Sequence, residues 1–203
     1  MNEQQQSLQE LHHIKQMMER SSRFISLSGL SGISAGVVAL LGAWFAVQRI
    51  SMYAHEKIID YNTLVMQLIV IAVLVLAAAF VAAFIFTYLR SKKEGVSLWG
   101  ATTNRLLTNL AIPLVAGGFF VLRIVQMDHV FLIAPACLLF YGLALVNASR
   151  YTLGEIRYLG YCELILGIIN LWIPGYGLIF WAAGFGVLHI IYGIIMWRKY
   201  ERV

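Results

Sequence analysis

The chain reads as an all-α, polytopic membrane protein of six transmembrane helices with both termini cytoplasmic, and three observations lead there. The first is composition. Of its 203 residues, 60% are hydrophobic and 12% charged, against about 45–50% and about 25% in an ordinary soluble domain. A soluble fold of this length has no interior large enough for so much apolar surface, and the mean hydropathy of +0.76 points to lipid as solvent. The second is segmentation: apolar runs cover about residues 24–47, 63–89, 106–125, 130–145, 158–173 and 178–197, with polar connections between them. The third is charge. Lys15, Arg20, Arg23, Arg90, Lys92, Lys93, Arg105, Arg150, Arg157, Arg198, Lys199 and Arg202 fall on one side of such a bundle, and only Arg49, Lys57 and Arg123 on the other. Basic residues concentrate on the cytoplasmic side, which predicts a multi-pass protein of the cell inner (cytoplasmic) membrane, N-in and C-in.

Residues 1–22 form a separate cytoplasmic unit ahead of the bundle at 23–203. From residue 3 they lack proline and glycine, and Leu8, Leu11, Ile14 and Met18 recur at helical spacing, which predicts a short amphipathic helix. It serves either as a solvated lead-in to the first span or as a surface for a protein partner. His12 and His13 are adjacent and so point apart on a helix, a poor metal pair. The polar character of this stretch argues against a cleavable signal peptide.

In the first span Ser28, Gly32 and Gly36 stand four apart, as do Ser31, Ala35, Ala39 and Ala43. Small residues at that spacing admit a second helix at close range, the means by which helices associate where lipid removes the hydrophobic drive. The ladder predicts tight packing and, in so small a bundle, a homo-oligomer. The second span is rich in Leu, Val, Ala and Phe around Gln67 and is expected at the lipid-facing periphery. Between Arg90 and Arg105, the residues Val96, Leu98 and Trp99 suggest a short interfacial segment. In the third span Pro113 removes one backbone hydrogen bond and leaves the carbonyl of Asn109 without its helical partner, which predicts a kink. The fourth and fifth spans are short and suit upright helices. The tight connection Pro174-Gly175-Tyr176-Gly177 makes the fifth and sixth antiparallel neighbours, and the first, fifth and sixth are expected at the centre.

Chemistry is sparse. Glu163 and His189 are the strongly ionisable groups deep inside apolar runs, at depths of roughly 9 and 12 Å from the cytoplasmic ends at 1.5 Å per residue. An acid or imidazole in hydrocarbon is costly unless paired or neutral, so such residues mark functional sites by default. The two can meet, as a proton-binding or polar-substrate site or as an interhelical bond that locks the hairpin. Asn170, seven residues after Glu163, lies on about the same face and extends the polar stripe or acts as interhelical glue. The aromatics Phe180, Trp181, Phe185, Tyr192 and Trp197 read as lipid belt and packing. Cys137 and Cys162 read as buried thiols without disulfide or metal spacing. No catalytic motif of the HExxH, GxSxG or P-loop type is present in a usable context, so no enzyme, metal, cofactor or nucleic-acid partner is expected.

Two stretches, Met18-Glu-Arg-Ser-Ser-Arg-Phe-Ile-Ser-Leu-Ser-Gly-Leu-Ser-Gly32 and Gly184-Phe-Gly-Val-Leu-His-Ile-Ile-Tyr-Gly193, resemble a group of bacterial six-span inner-membrane proteins. The resemblance implies the six-helix bundle and brings no activity with it. Two functional readings follow from the residues. One is a non-enzymatic membrane scaffold or regulator acting through the N-terminal helix and the small-residue faces. The other is a small proton-linked carrier or channel with its polar site at Glu163 and His189.

Overall fold

A computed structural model describes residues 28–56, 60–95 and 98–202, and the amphipathic helix expected over residues 1–22 lies outside them. The described residues are all-helical, with no strand among them. Helix α1 spans Gly29–Ser51 and runs on as a wider π-turn through Met52–Glu56; α2 is Tyr61–Glu94 and α3 Ala101–Gln126. A short 3-10 turn, Val130–Leu132, leads into α4 (Ile133–Ala148), followed by α5 (Ile156–Trp172). The last helix, α6, begins as Gly177–Trp181, widens to π geometry over Ala182–Leu188 and closes as His189–Tyr200. Five of these helices are long and apolar enough to cross a membrane. The other, α5, has 17 residues, just under the usual length of about 20.

Side-chain caps open the first two helices, and a glycine closes the second. Ser28 caps α1 by accepting from the Leu30 amide at 3.2 Å, and Asp60 caps α2 through the amides of Asn62 and Thr63 at 3.1 and 3.2 Å, each oxygen taking up donors the first turn leaves without partners. α2 stops at Gly95, whose φ of 65° is the left-handed conformation that glycine adopts most cheaply. Two expected connections are therefore shorter than the polarity of their residues suggested. α1 continues past Val47 because neither proline nor glycine interrupts 48–56, and α2 continues past Leu89 to the first glycine. Leaving hydrocarbon does not by itself end a helix. Of the expected interfacial segment, Leu98 and Trp99 form, with Gly100, a non-helical link into α3, and Val96 lies outside the described residues.

α1 lies between α2 and α6, while α4 lies against α3, α5 and the first half of α6. The fourth helix therefore holds the centre alongside the first and sixth, a place the sequence reading gave to the fifth. The residues Pro135, Ala136, Gly142, Ala144 and Ala148, all buried, explain why: α4 is lined with small side chains that admit neighbours on several sides. The most apolar stretch of α2 is 0% buried, and the surface carries Phe80, Phe119 and Trp172, each at least 70% exposed, a surface suited to lipid.

Glycines set the closest approaches. A Cβ on Gly32 would stand 3.2 Å from the Gly193 Cα, and one on Gly36 would stand 2.6 Å from the Gly186 carbonyl oxygen. The small-residue ladder of α1 is thus filled by α6 of the same chain, which removes the argument that assigned it to an oligomer interface. Gly142 of α4 and Gly160 of α5 meet in the same way, each with a Cβ position 2.8 to 2.9 Å from the other's carbonyl oxygen. In α3, the Asn109 carbonyl that Pro113 leaves without its helical donor accepts from Asn147 Nδ2 of α4 at 3.0 Å.

The end of the bundle that holds the last residues is tied by polar contacts. Glu201 accepts from the Ser28 hydroxyl at 3.2 Å and the Gly29 amide at 2.5 Å, and pairs with Arg90 at 3.3 Å. Glu155, ahead of α5, pairs with Lys199 and accepts from the Tyr200 hydroxyl at 2.6 Å. Partial burial works against ionisation of Glu155, but these two hydrogen bonds outweigh it and hold the carboxyl below its ordinary value.

Candidate functional site

Three helices deliver one polar set to the interior. On α5 the buried positions Ile156, Leu159, Gly160, Glu163, Gly167 and Asn170 repeat at helical period, so the stripe that packs α5 inward carries Glu163 with it. Its side chain is 0% exposed. On α6 the space for the carboxyl comes from Gly184: a Cβ there would run into Glu163 Oε2 and Leu138. α4 contributes Tyr141, and the last part of α6 begins with His189.

The wide turn at Ala182–Leu188 shapes the hydrogen bonding. A π-turn interrupts the regular bonding of an α-helix and is often found at functional sites. The His189 backbone amide here donates to Gly186, and the Gly184 carbonyl lies 3.0 Å from His189 Nδ1. A carbonyl only accepts, so Nδ1 carries a hydrogen. In the neutral ring Nε2 is then an acceptor, and it meets the Tyr141 hydroxyl at 2.7 Å. The tautomer follows from these partners. Phe185 stands beside the set, 5.0 Å from the Tyr141 ring and 6.0 Å from the His189 ring. Of the aromatics read as lipid belt and packing, Phe185 is thus part of the wall of this site.

Glu163 and His189 come together as neighbours but not as a well-made ion pair. Glu163 Oε1 lies 3.5 Å from Nδ1, beyond the usual N–H···O range of about 2.7 to 3.2 Å, while the Nδ1 hydrogen is directed to Gly184. Neither carboxyl oxygen has a hydrogen-bond partner. A fully buried carboxylate in that position is expensive. One proton shared between acid and imidazole offers two states of equal net charge: a neutral acid beside a neutral ring, or a carboxylate beside an imidazolium whose Nε2–H donates to the Tyr141 oxygen. Because Nδ1, the nitrogen that faces Glu163, already holds its hydrogen, the second state needs a proton on Nε2, so passage between the two requires the ring to turn and exchange its Gly184 and Tyr141 bonds.

Asn170 does not join this set. It is 2% exposed and its Nδ2 donates to the Ile173 carbonyl at 3.4 Å, closing the far end of α5. Pro113 sits inside an unbroken helical span of α3, and Ser28, Gly32 and Gly36 serve the α1–α6 seam, away from the carboxyl. Cys137 is half-buried and Cys162 exposed, so the second thiol is not the interior group the sequence suggested. Among the described residues, no cluster of three or more His, Cys, Asp and Glu side chains could hold a metal ion. Sequence reasoning missed Tyr141 and Gly184. A signal for the first existed, since Tyr141 carries the single hydroxyl in the apolar run at 130–145. Nothing distinguished Gly184 from the other glycines of its helix.

Comparison of the chain with protein-family models, curated proteins and solved structures finds no match.

Proposed function

We propose that the protein is a small proton-linked carrier or channel of the cytoplasmic membrane, with Glu163 as the group that takes up and releases the proton and His189 as its relay. The observation that carries this reading is the fully buried Glu163 carboxyl without a hydrogen-bond partner, 3.5 Å from an imidazole held at both ring nitrogens. A purely structural acid would be expected to have its oxygens satisfied. The Ala182–Leu188 turn, with Gly184 and Gly186 in it, is the natural place for α6 to flex and expose the site to one side and then the other. In the bilayer the chain makes six crossings with N- and C-termini cytoplasmic; the basic residues, twelve against three, support that orientation. No catalytic step is part of this reading.

The test is flux. Purified protein in liposomes carrying a pH-sensitive dye should dissipate an imposed proton gradient, alone or on addition of solute, and Glu163→Gln should lower the rate at least about tenfold, as loss of a proton-transfer group does. Equal rates in liposomes with and without the protein would overturn the carrier reading. That result would leave the scaffold or regulator reading, with a protein partner or a second copy of the chain engaged through residues 1–22 or an outer face.

A further inference from the structure

α1 and α2 enclose a groove of about 660 Å³ on the side of the bundle away from Glu163, within the range of about 300–1,000 Å³ typical of ligand sites. Its walls are apolar, among them Phe45, Val70 and Ala78, and its two polar side chains are Arg49 and Gln67. The two helices run antiparallel and touch at Gly42, whose missing Cβ gives room to Val75. Seven residues on from that contact along α1 is Arg49, and seven back along α2 is Leu68, next to Gln67. Both polar groups therefore stand at one end of the groove, where α1 leaves the hydrocarbon.

Each is missing a complement. Arg49 contacts the Met52 sulfur at 3.6 Å and pairs with no carboxylate among the described residues. Gln67 Oε1 also has no hydrogen-bond partner, but it is shielded and presents no surface that an occupant of the groove could reach. From Gln67 to Ala78 the groove runs eleven residues of α2, about 16 Å at 1.5 Å per residue, which matches one leaflet, half of a hydrocarbon core of about 30 Å. An occupant must therefore offer an anion to Arg49 and an apolar chain as long as a leaflet is deep.

We infer that this groove binds one anionic phospholipid of the leaflet in which α1 ends, with its phosphate on Arg49 and an acyl chain lying past Gly42 toward Ala78. Phosphatidylglycerol has both features and a net negative charge. Phosphatidylcholine has the phosphate and the chain, but its choline cation cancels the charge and is repelled by Arg49. The site is separate from Glu163 and does not depend on the protein's being a carrier.

Native mass spectrometry of the detergent-purified, delipidated protein tests it, with phosphatidylglycerol or phosphatidylcholine added back at equal concentration. One phosphatidylglycerol should be retained in preference to phosphatidylcholine by about tenfold, because its charge toward Arg49 is not offset by a headgroup cation. Arg49→Gln should bring that ratio close to one, Gln67→Leu should leave it unchanged, and Ala78→Trp, which fills the deep end, should reduce retention of both lipids. Arg123→Gln, which removes a charge at the same end of the bundle, should change nothing. Equal retention of the two lipids by the unmodified protein, or an Arg49→Gln ratio the same as that of the unmodified protein, would overturn the proposal. So would a dimer mass that is lost on Ala78→Trp, since a second copy would then occupy the groove.

Discussion

At Gly193, α6 lies so close to α1 that an added Cβ would stand 2.6 Å from the Gly29 carbonyl oxygen and from the Ile33 amide nitrogen. At Gly184, on the same helix, an equally small gap admits the Glu163 carboxyl. In the first case backbone approaches backbone, and every polar group involved is already bonded within its own helix. In the second the approaching group is an acid whose oxygens have no hydrogen-bond partner. Glycine in a membrane helix signals close approach, but what approaches decides whether the result is a seam or a site.

The largest expected effect comes from closing the seam. Gly193→Leu should cost about 3 kcal/mol, the upper range for overpacking, since backbone on the far side cannot yield; thermal unfolding in detergent measures it. Gly32→Leu should follow with a smaller loss, because a Cβ there starts 3.2 Å from its nearest neighbour, and neither variant should change the oligomeric mass. A change of mass without a change of stability would place the ladder at an interface between copies instead.

Closing the site should behave differently. Gly184→Ala pushes against a side chain, so removing that side chain should relieve the strain. In a double-mutant cycle, Gly184→Ala should destabilise the unmodified protein and cost about 1 kcal/mol less in a Glu163→Ala background. Equal costs in the two backgrounds would mean that Gly184, like Gly193, serves packing alone.

A third gap shows what a satisfied polar group looks like in this bundle. The Asn109 carbonyl, bared by Pro113, accepts from Asn147, and Asn147→Leu should cost about 1 kcal/mol. Pro113→Ala restores a local donor, so the cost of Asn147→Leu should fall in that background. If it does not, the Asn147 contact is incidental, and the contrast with the unsatisfied Glu163 weakens.

The smallest effect lies at the bundle's end, where Glu155 is partly exposed and fully partnered. Its carboxyl is held below its ordinary value by Lys199 and Tyr200. Its contribution is therefore complete above the unfolded-state value and is lost as pH falls through the lower folded value. The stability gap between the unmodified protein and Glu155→Gln should be under about 1 kcal/mol at neutral pH and vanish in acid. A gap that widens in acid would contradict the pairing.

Much of the helical framework was legible because its causes are local: apolar runs of span length, a proline that frees one named carbonyl, and a turn too short for anything but an antiparallel hairpin. Helix ends were misread where polarity was taken as a stop signal; Gly95 shows that backbone conformation ends α2, well after the hydrocarbon does. The proximity of Glu163 and His189 was legible from depth and the tight turn. Tyr141 and Gly184 were not, because α4 enters the site by way of glycine contacts far apart in sequence, such as Gly142 with Gly160. The π-turn that turns the Gly184 carbonyl toward His189 also has no residue signature distinct from an ordinary glycine-rich helix.

The central claim is that Glu163 is a proton-binding acid in contact with His189, and infrared difference spectroscopy of the carboxyl C=O band tests it most directly. Across a pH titration of the reconstituted protein, a band from a protonated, weakly hydrogen-bonded carboxyl should appear and disappear. Glu163→Gln should abolish it, and His189→Phe should displace its titration midpoint. A titrating band that survives Glu163→Gln, or one whose midpoint is unmoved by His189→Phe, would contradict the account.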